Sequence, residues 1–280
     1  MSDAPTPVGP PPPPDGGAGQ GDPTAPVAEV PRSPRPASRT GKAPSPTFAV
    51  FKLLLRLQLT FPRLATMVVL GGLFVVVAVA IAAGRRGSAL RNATNFVSNV
   101  GFVVLVPVAS LVFASSSLGD TVEDQTLVYL WLRPMARWRL TLASMAASLV
   151  IVWPLVIVPM VIGAKLAGGD GDLVVATALA TTVGVFAYVG VFTALGLRVR
   201  NALLWGLLYV FIWEGFVAGA SDTAARLAIR AYLRSQLAAA TGVELRLGAI
   251  SLPWTWLTPL LVGLAGAALT TRWLRRRDVP

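Results

Sequence analysis

Ala65-Thr-Met-Val-Val-Leu-Gly-Gly-Leu-Phe-Val-Val-Val-Ala-Val-Ala-Ile-Ala-Ala83 runs for 19 residues without a charge. A bilayer's hydrocarbon core needs about 20 consecutive apolar residues to cross it as a helix. Five more stretches of similar character follow, over residues 96–118, 140–164, 173–197, 202–220 and 254–271. The expected fold is therefore an all-α membrane protein with six transmembrane helices. Pro107 lies in the second stretch, Pro154 and Pro159 in the third, and Pro259 in the sixth. A proline inside a helix removes a backbone donor and crowds the preceding turn, so the third span is expected to bend. The composition agrees: 54% of the 280 residues are hydrophobic and 13% charged. Soluble domains run at about 45–50% and about 25%. The mean hydropathy is +0.66.

Upstream of the first span the chain changes character twice. Residues 1–46 carry 14 of the 22 prolines and 6 of the 26 glycines. Such a segment buries no core and is expected to be a disordered cytoplasmic tail. A Pro-rich ligand for another domain is the alternative. It lacks the basic start and apolar core of a signal peptide. Residues 47–63 instead place Lys52, Arg56, Thr60 and Arg63 within an arc of about 80° at helical spacing. Phe48, Phe51, Leu55 and Leu59 lie mainly away from that arc. The reading is an amphipathic interfacial helix, and the alternative is the cytoplasmic end of a tilted first span.

Several classes of chemistry have no residues to run on. Cys and His are both absent. Disulfides, thiolate nucleophiles, Ser-His or Cys-His catalysis and Cys/His metal sites are excluded. No G-x-x-x-x-G-K-[ST] pattern occurs, and Gly168-Gly-Asp-Gly-Asp172 lacks the lysine that contacts phosphate, so it reads as a turn outside the membrane. No catalytic residue and no metal ligand is therefore assigned. The net charge of +11 suggests nucleic acid in a soluble protein. In a membrane protein it marks cytoplasmic flanks and anionic lipid, so no nucleic-acid partner is expected. Of the 24 Lys and Arg, a topology with both termini cytoplasmic puts 16 inside and 8 outside. That orientation is the expected one, in a prokaryotic-type inner membrane.

Two regions inside the body stand out. Between the fifth and sixth spans, Arg226, Arg230 and Arg234 repeat every four residues and Gly242 offers a stop. Residues 222–250 are read as an external interfacial helix followed by a short extended piece. Within the fifth span, Glu214 is the one acid well inside a predicted crossing. A charge there is costly, so it should face protein or water. Gly215 and Gly219 form a GxxxG pair suited to close helix packing. Glu214, Gly215 and Gly219 thus mark either a transport path or a dimer interface. The other reading pairs Glu214 with Arg226 or Arg230. The eight tryptophans fall mostly near span ends, where they anchor at the interface.

The loop over residues 119–139 joins the second and third spans. Acids come first (Asp120, Glu123, Asp124) and bases last (Arg133, Arg137, Arg139), which suits the dipole of a short cytoplasmic helix. Pro134 then favours a turn. By itself this is a solvated loop with balanced charge or a docking surface for a cytoplasmic partner. Glu123-Asp124-Gln125-Thr126-Leu127, Leu130, Leu132-Arg133-Pro134 and Arg137 resemble the E-x-G-T-L…L-x-R-P-x-x-R segment of type 2 ATP-binding-cassette (ABC) transporter permeases. In that family the segment also lies between spans two and three of six. Gln125 replaces the usual glycine and Ser144 a frequent lysine. The amphipathic lead-in, the long connection between spans five and six and Arg275-Arg276-Arg277-Asp278-Val279 add to a likeness covering about residues 48–280.

That resemblance implies a permease domain over residues 47–280 that dimerises with a second or homologous permease. A separate ABC ATPase subunit would bind ATP and Mg, this chain carrying no cofactor. It implies an exporter, not an enzyme, with Glu123, Asp124, Thr126, Arg133, Pro134 and Arg137 coupling ATPase closure to the spans. Two other functions compete with it. An intramembrane enzyme would need a Ser/Lys or carboxylate-pair site, for which only Lys165 at a span edge offers a start. A non-transporting anchor or assembly factor would recruit a cytoplasmic partner through the tail.

Overall fold

The computed structural model describes residue 9 and residues 46–84, 87–123, 136–218, 222–243 and 250–276. Residues 1–43 and 44–280 form two separate units. The expected tail therefore lies almost wholly outside the described residues. Among the described residues the second unit is helical throughout, without strands. Five helices are long and apolar enough to cross a membrane. Their exposed faces carry large apolar side chains, among them Val68, Val69, Leu73 and Val76 on the first. A surface of that kind and extent belongs in lipid rather than water.

The lead-in is α1 (Pro46–Gln58), and the first long helix is α2 (Phe61–Ala83). The expected single helix over residues 47–63 is thus two. Thr60 adopts an extended backbone, and Pro62 sits in the first turn of α2. Proline lacks the donor that a continuing helix needs and fits where that donor is unpaired anyway. Thr60 and Arg63 therefore do not belong to the basic stripe, which reduces to Lys52 and Arg56. The opposite face of α1, Val50, Leu54 and Gln58 at four-residue spacing, is buried. It packs on protein, chiefly on α5 (Arg137–Leu166).

The second long helix is α3 (Ala89–Phe96), a π-helical segment (Val97–Leu105) and α4 (Val106–Glu123) in one rod. The wide turns end just before Pro107, where the chain has no donor to keep in register. α4 runs on through Asp120 to Glu123. Asp120 and Glu123 are thus part of α4, and the rest of the expected short helix, residues 124–135, lies outside the described residues. α5 continues unbroken through Pro154 and Pro159. Asp170 caps α6 (Gly171–Arg198), its Oδ1 accepting from Leu173 N–H at 2.9 Å after the left-handed Gly168. Of the turn expected at residues 168–172, Gly168 lies in a turn, whereas Gly171 and Asp172 already open α6. The fifth apolar stretch is α7 (Ala202–Leu208) plus a second π-helical segment (Tyr209–Val217). At about 1.5 Å per residue it spans at most about 24 Å, short of a bilayer core of about 30 Å. The last helix is α10 (Leu252–Arg276).

Contacts set the directions. Gly71 and Phe74 of α2 meet Pro159 and Gly163 of α5, so these two run parallel. Gly101 meets Met160 and Ser117 meets Ser144, so the second rod is antiparallel to α5. Gly190 of α6 meets the backbone of Gly263 and Gly266 on α10, and Gly196 meets the backbone of Ser115 on α4. Such approaches require glycine, because a Cβ at Gly190 would sit 2.7 Å from the Gly263 Cα. The six apolar segments alternate in direction around α6. Hydroxyls in the bundle hide on their own backbone: Thr94, Ser110, Ser115 and Thr193 donate to carbonyls four residues back. That satisfies polar groups where no water is available.

The stretch after the fifth segment differs from the expected external helix. It is a single turn, α8 (Asp222–Ala225), a break at Ala228 with extended backbone, and α9 (Ile229–Thr241). Gly242 ends α9 in the left-handed conformation, as expected, and residues 244–249 lie outside the described set. The break takes Arg226 off the helix that carries Arg230 and Arg234. α9 is not a surface helix: Ile229, Arg230, Leu233 and Leu237 are buried against α6, α10 and the first π segment.

Candidate functional site: a buried carboxyl at the foot of a re-entrant helix

The depth of α9 follows from its neighbours. Leu233 packs on Gly184, 14 residues along α6 from Arg198, or about 21 Å from that end. Ile229 lies deeper, at the level of Tyr188. α6 is about 42 Å long, so the start of α9 lies well inside the bundle. The fifth segment ends three residues past Glu214, and after α8 the chain begins α9 at the level of that same residue inside the bundle.

A helix that begins at such depth has up to four N–H groups without intrahelical partners. Water cannot satisfy them there, and Ala228 at the N-cap has no side chain that could. Glu214 supplies the acceptor from another segment. Its side chain is completely buried. Oε1 accepts from Ile229 N–H at 3.3 Å and from the Tyr209 hydroxyl at 3.2 Å. Oε2 accepts a hydrogen bond from the Tyr188 hydroxyl. The positive end of the α9 dipole faces the carboxyl through the Ile229 N–H. Phe192 closes the group, stacked on Tyr188 at 5.8 Å and edge-on to Tyr209 at 6.3 Å.

The π-helical register is what makes this geometry. Residues five apart on an α-helix point about 140° away from each other. On π turns the i, i+5 pair comes together, and Tyr209 and Glu214 are such a pair. The carboxyl therefore ties the fifth segment to α6 and α9 at one point. Among the described residues no three His, Cys, Asp or Glu side chains converge to hold a metal. With one carboxyl accepting from three neutral donors on the fifth segment, α6 and α9, the site can hold helices in register. Arg234, one turn beyond Arg230, keeps its buried Nε without a hydrogen-bond partner among the described residues.

The partners that meet Glu214 are the Tyr188 and Tyr209 hydroxyls and the Ile229 N–H. Gly215 is exposed, with only Val210 O at 3.5 Å from where a Cβ would stand. Gly219 lies outside the described residues, as do Asp124, Thr126, Arg133 and Pro134. Glu123 is helical at the end of α4, and Arg137 opens α5. Tyr188, Tyr209 and Ile229 escape a reading of the sequence, for none carries a signal of its own.

The opposite end of the bundle has its own small core. Val50, Leu54, Leu118, Leu140, Leu197 and Leu274 pack together from α1, α4, α5, α6 and α10. Around it Ser117 and Ser144 share a hydrogen bond at 2.7 Å. Ser148 donates to Gln58 Oε1 at 3.2 Å, and Thr271 to Thr141 at 3.1 Å. This core joins the helices on either side of residues 124–135. No protein-family model, no curated protein and no solved structure matches this chain.

Proposed function

We propose that the chain is the membrane permease subunit of an ABC-type transporter and works as an exporter. In this reading it crosses the cytoplasmic membrane six times with both termini inside. Ala202–Val217 is the fifth crossing, completed by the re-entrant α8–α9. A second copy or a homologous permease forms the other half. Hydrolysis of ATP with Mg takes place on a separate ATPase subunit, which docks against residues 119–139.

The observation that carries the reading is the convergence at the α1 end. The close of α4 and the opening of α5 share one core with α1, α6 and α10. A push on the connecting segment is thereby passed to four long helices at once, which alternating access by rocking helix bundles requires. The extension of α4 to Glu123 stiffens one side of that lever.

The test is co-purification with a co-expressed ABC ATPase subunit, followed by transport in vesicles. Arg133→Glu together with Arg137→Glu is expected to lower ATPase retention and transport about tenfold, the loss of about 1.4 kcal/mol of contact. Retention and transport at the unaltered level would remove the coupling assignment.

A further inference from the structure

A groove of about 720 Å³ runs between α2 and α5 and is closed at one end by α1. Every side chain that lines it is apolar. Two glycines shape it. Gly71 lets the ring of Pro159 come against α2, with a Cβ position 3.2 Å from Pro159 Cγ. Gly72, next to it, faces open space, with nothing within 4 Å of its Cβ position. Val68, Val158 and Ile162 stand exposed along the walls. The volume lies in the range of ligand sites, about 300–1,000 Å³.

Its length and its closed end point to one kind of occupant. On α2 the lining runs from Leu64 to Val75, about 16 Å at helical rise. One leaflet of the hydrocarbon core is about 15 Å thick. At the α1 end the lining residues are Leu55 and Leu59, the latter still bonded N–H to the Leu55 carbonyl at 3.1 Å. At helical spacing Lys52 falls within about 60° of both, with Arg56 beside it. Lys52 and Arg56 are exposed. The apolar channel thus ends at α1, whose exposed face carries two cations.

We propose that this groove is a binding site for one acyl chain of an anionic phospholipid, whose phosphate sits on Lys52 and Arg56. The lipid comes from the leaflet on the α1 side. It fills the notch at Gly72 and wedges α1 against the bundle. The site requires only that α2 and α5 lie in a bilayer, so it stands apart from the transport reading.

The full chain is purified in detergent, stripped of lipid and titrated with palmitoyl-oleoyl phosphatidylglycerol or the phosphatidylcholine of the same chains. Native mass spectrometry counts the lipid retained. The unaltered chain is expected to hold one phosphatidylglycerol, in about tenfold preference over phosphatidylcholine. Lys52→Glu with Arg56→Glu removes the preference. Gly72→Leu, which fills the notch, lowers retention of both lipids about tenfold, and Val158→Phe does the same from the α5 side. Ala80→Leu enlarges an exposed residue of α2 outside the groove and changes neither. Retention unaltered in both Gly72→Leu and Val158→Phe would overturn the proposal, as would equal loss in Ala80→Leu. A Val68→Cys chain, whose one thiol lies in the groove, also tests the occupant. High-yield disulfide dimers of it in native membranes would assign the groove to a second copy and overturn the lipid site.

Discussion

Replacing Glu214 with alanine tests the account of α9 directly. The substitution leaves three donors without an acceptor: the hydroxyls of Tyr188 and Tyr209 and the N–H of Ile229. Interhelical hydrogen bonds within a bilayer average about 0.6 kcal/mol and reach about 1.7. Two of the three, from Tyr188 and Ile229, cross between segments and set the cost at about 1–3 kcal/mol, before the bond from Tyr209 of the same segment and any relaxation of the aromatic group. Glu214→Gln keeps one carbonyl acceptor and offers an amide to a hydroxyl that can accept, so it should cost less than half as much. Tyr188→Phe should cost about 1 kcal/mol, and its effect should vanish in the Glu214→Ala background. Unfolding of the purified chain in mixed micelles measures these differences. Docking of α9 can be followed separately, since the chain has no cysteine. Ala231 is buried in α9, and a Cys placed there should react with a maleimide about tenfold faster once Glu214 is removed. An unchanged unfolding midpoint together with unchanged labelling would refute the view that Glu214 holds the foot of this helix.

Other substitutions test the packing and the end of α9. Gly190→Ala places a Cβ against the Gly263 backbone and should cost about 1–3 kcal/mol in micelle unfolding, while Gly190→Leu should abolish accumulation in the membrane. Gly242→Ala, at a φ of +66°, should cost about 1 kcal/mol by the same measurement, without moving the α6–α10 contact. Ser117→Ala and Ser144→Ala should each cost about 0.6 kcal/mol and be non-additive in a double-mutant cycle, because they share one hydrogen bond.

Much of the scaffold is legible in the order of residues alone. The charge-free run at residues 65–83 falls inside α2, and the stretches at 140–164, 173–197 and 254–271 fall inside α5, α6 and α10. Asp170 and Gly242 act as start and stop, since capping depends only on residues a few positions away. The divisions that hydropathy and spacing miss are also local in cause. Pro62 ends the lead-in early, and the extended Ala228 interrupts what spacing alone makes one arginine-bearing helix. Glu214 stands out because an acid in an apolar run is costly, yet its partners do not. Tyr188 lies 26 residues before it and Ile229 15 after.

The amino-acid sequence by itself determined that this chain folds as apolar helices, where most of them begin and end, and that it has no thiol or imidazole chemistry. Those properties follow from hydropathy over 20-residue windows and from residue types, which need no knowledge of neighbours in space. Tertiary structure alone decided that α9 begins inside the bundle, that π turns swing Tyr209 towards Glu214, and that one carboxyl caps a helix from another segment. The reason is the solvent. In a hydrocarbon environment each buried donor must find an acceptor inside the protein, and which acceptor it finds depends on how the helices pack rather than on the order of residues along them.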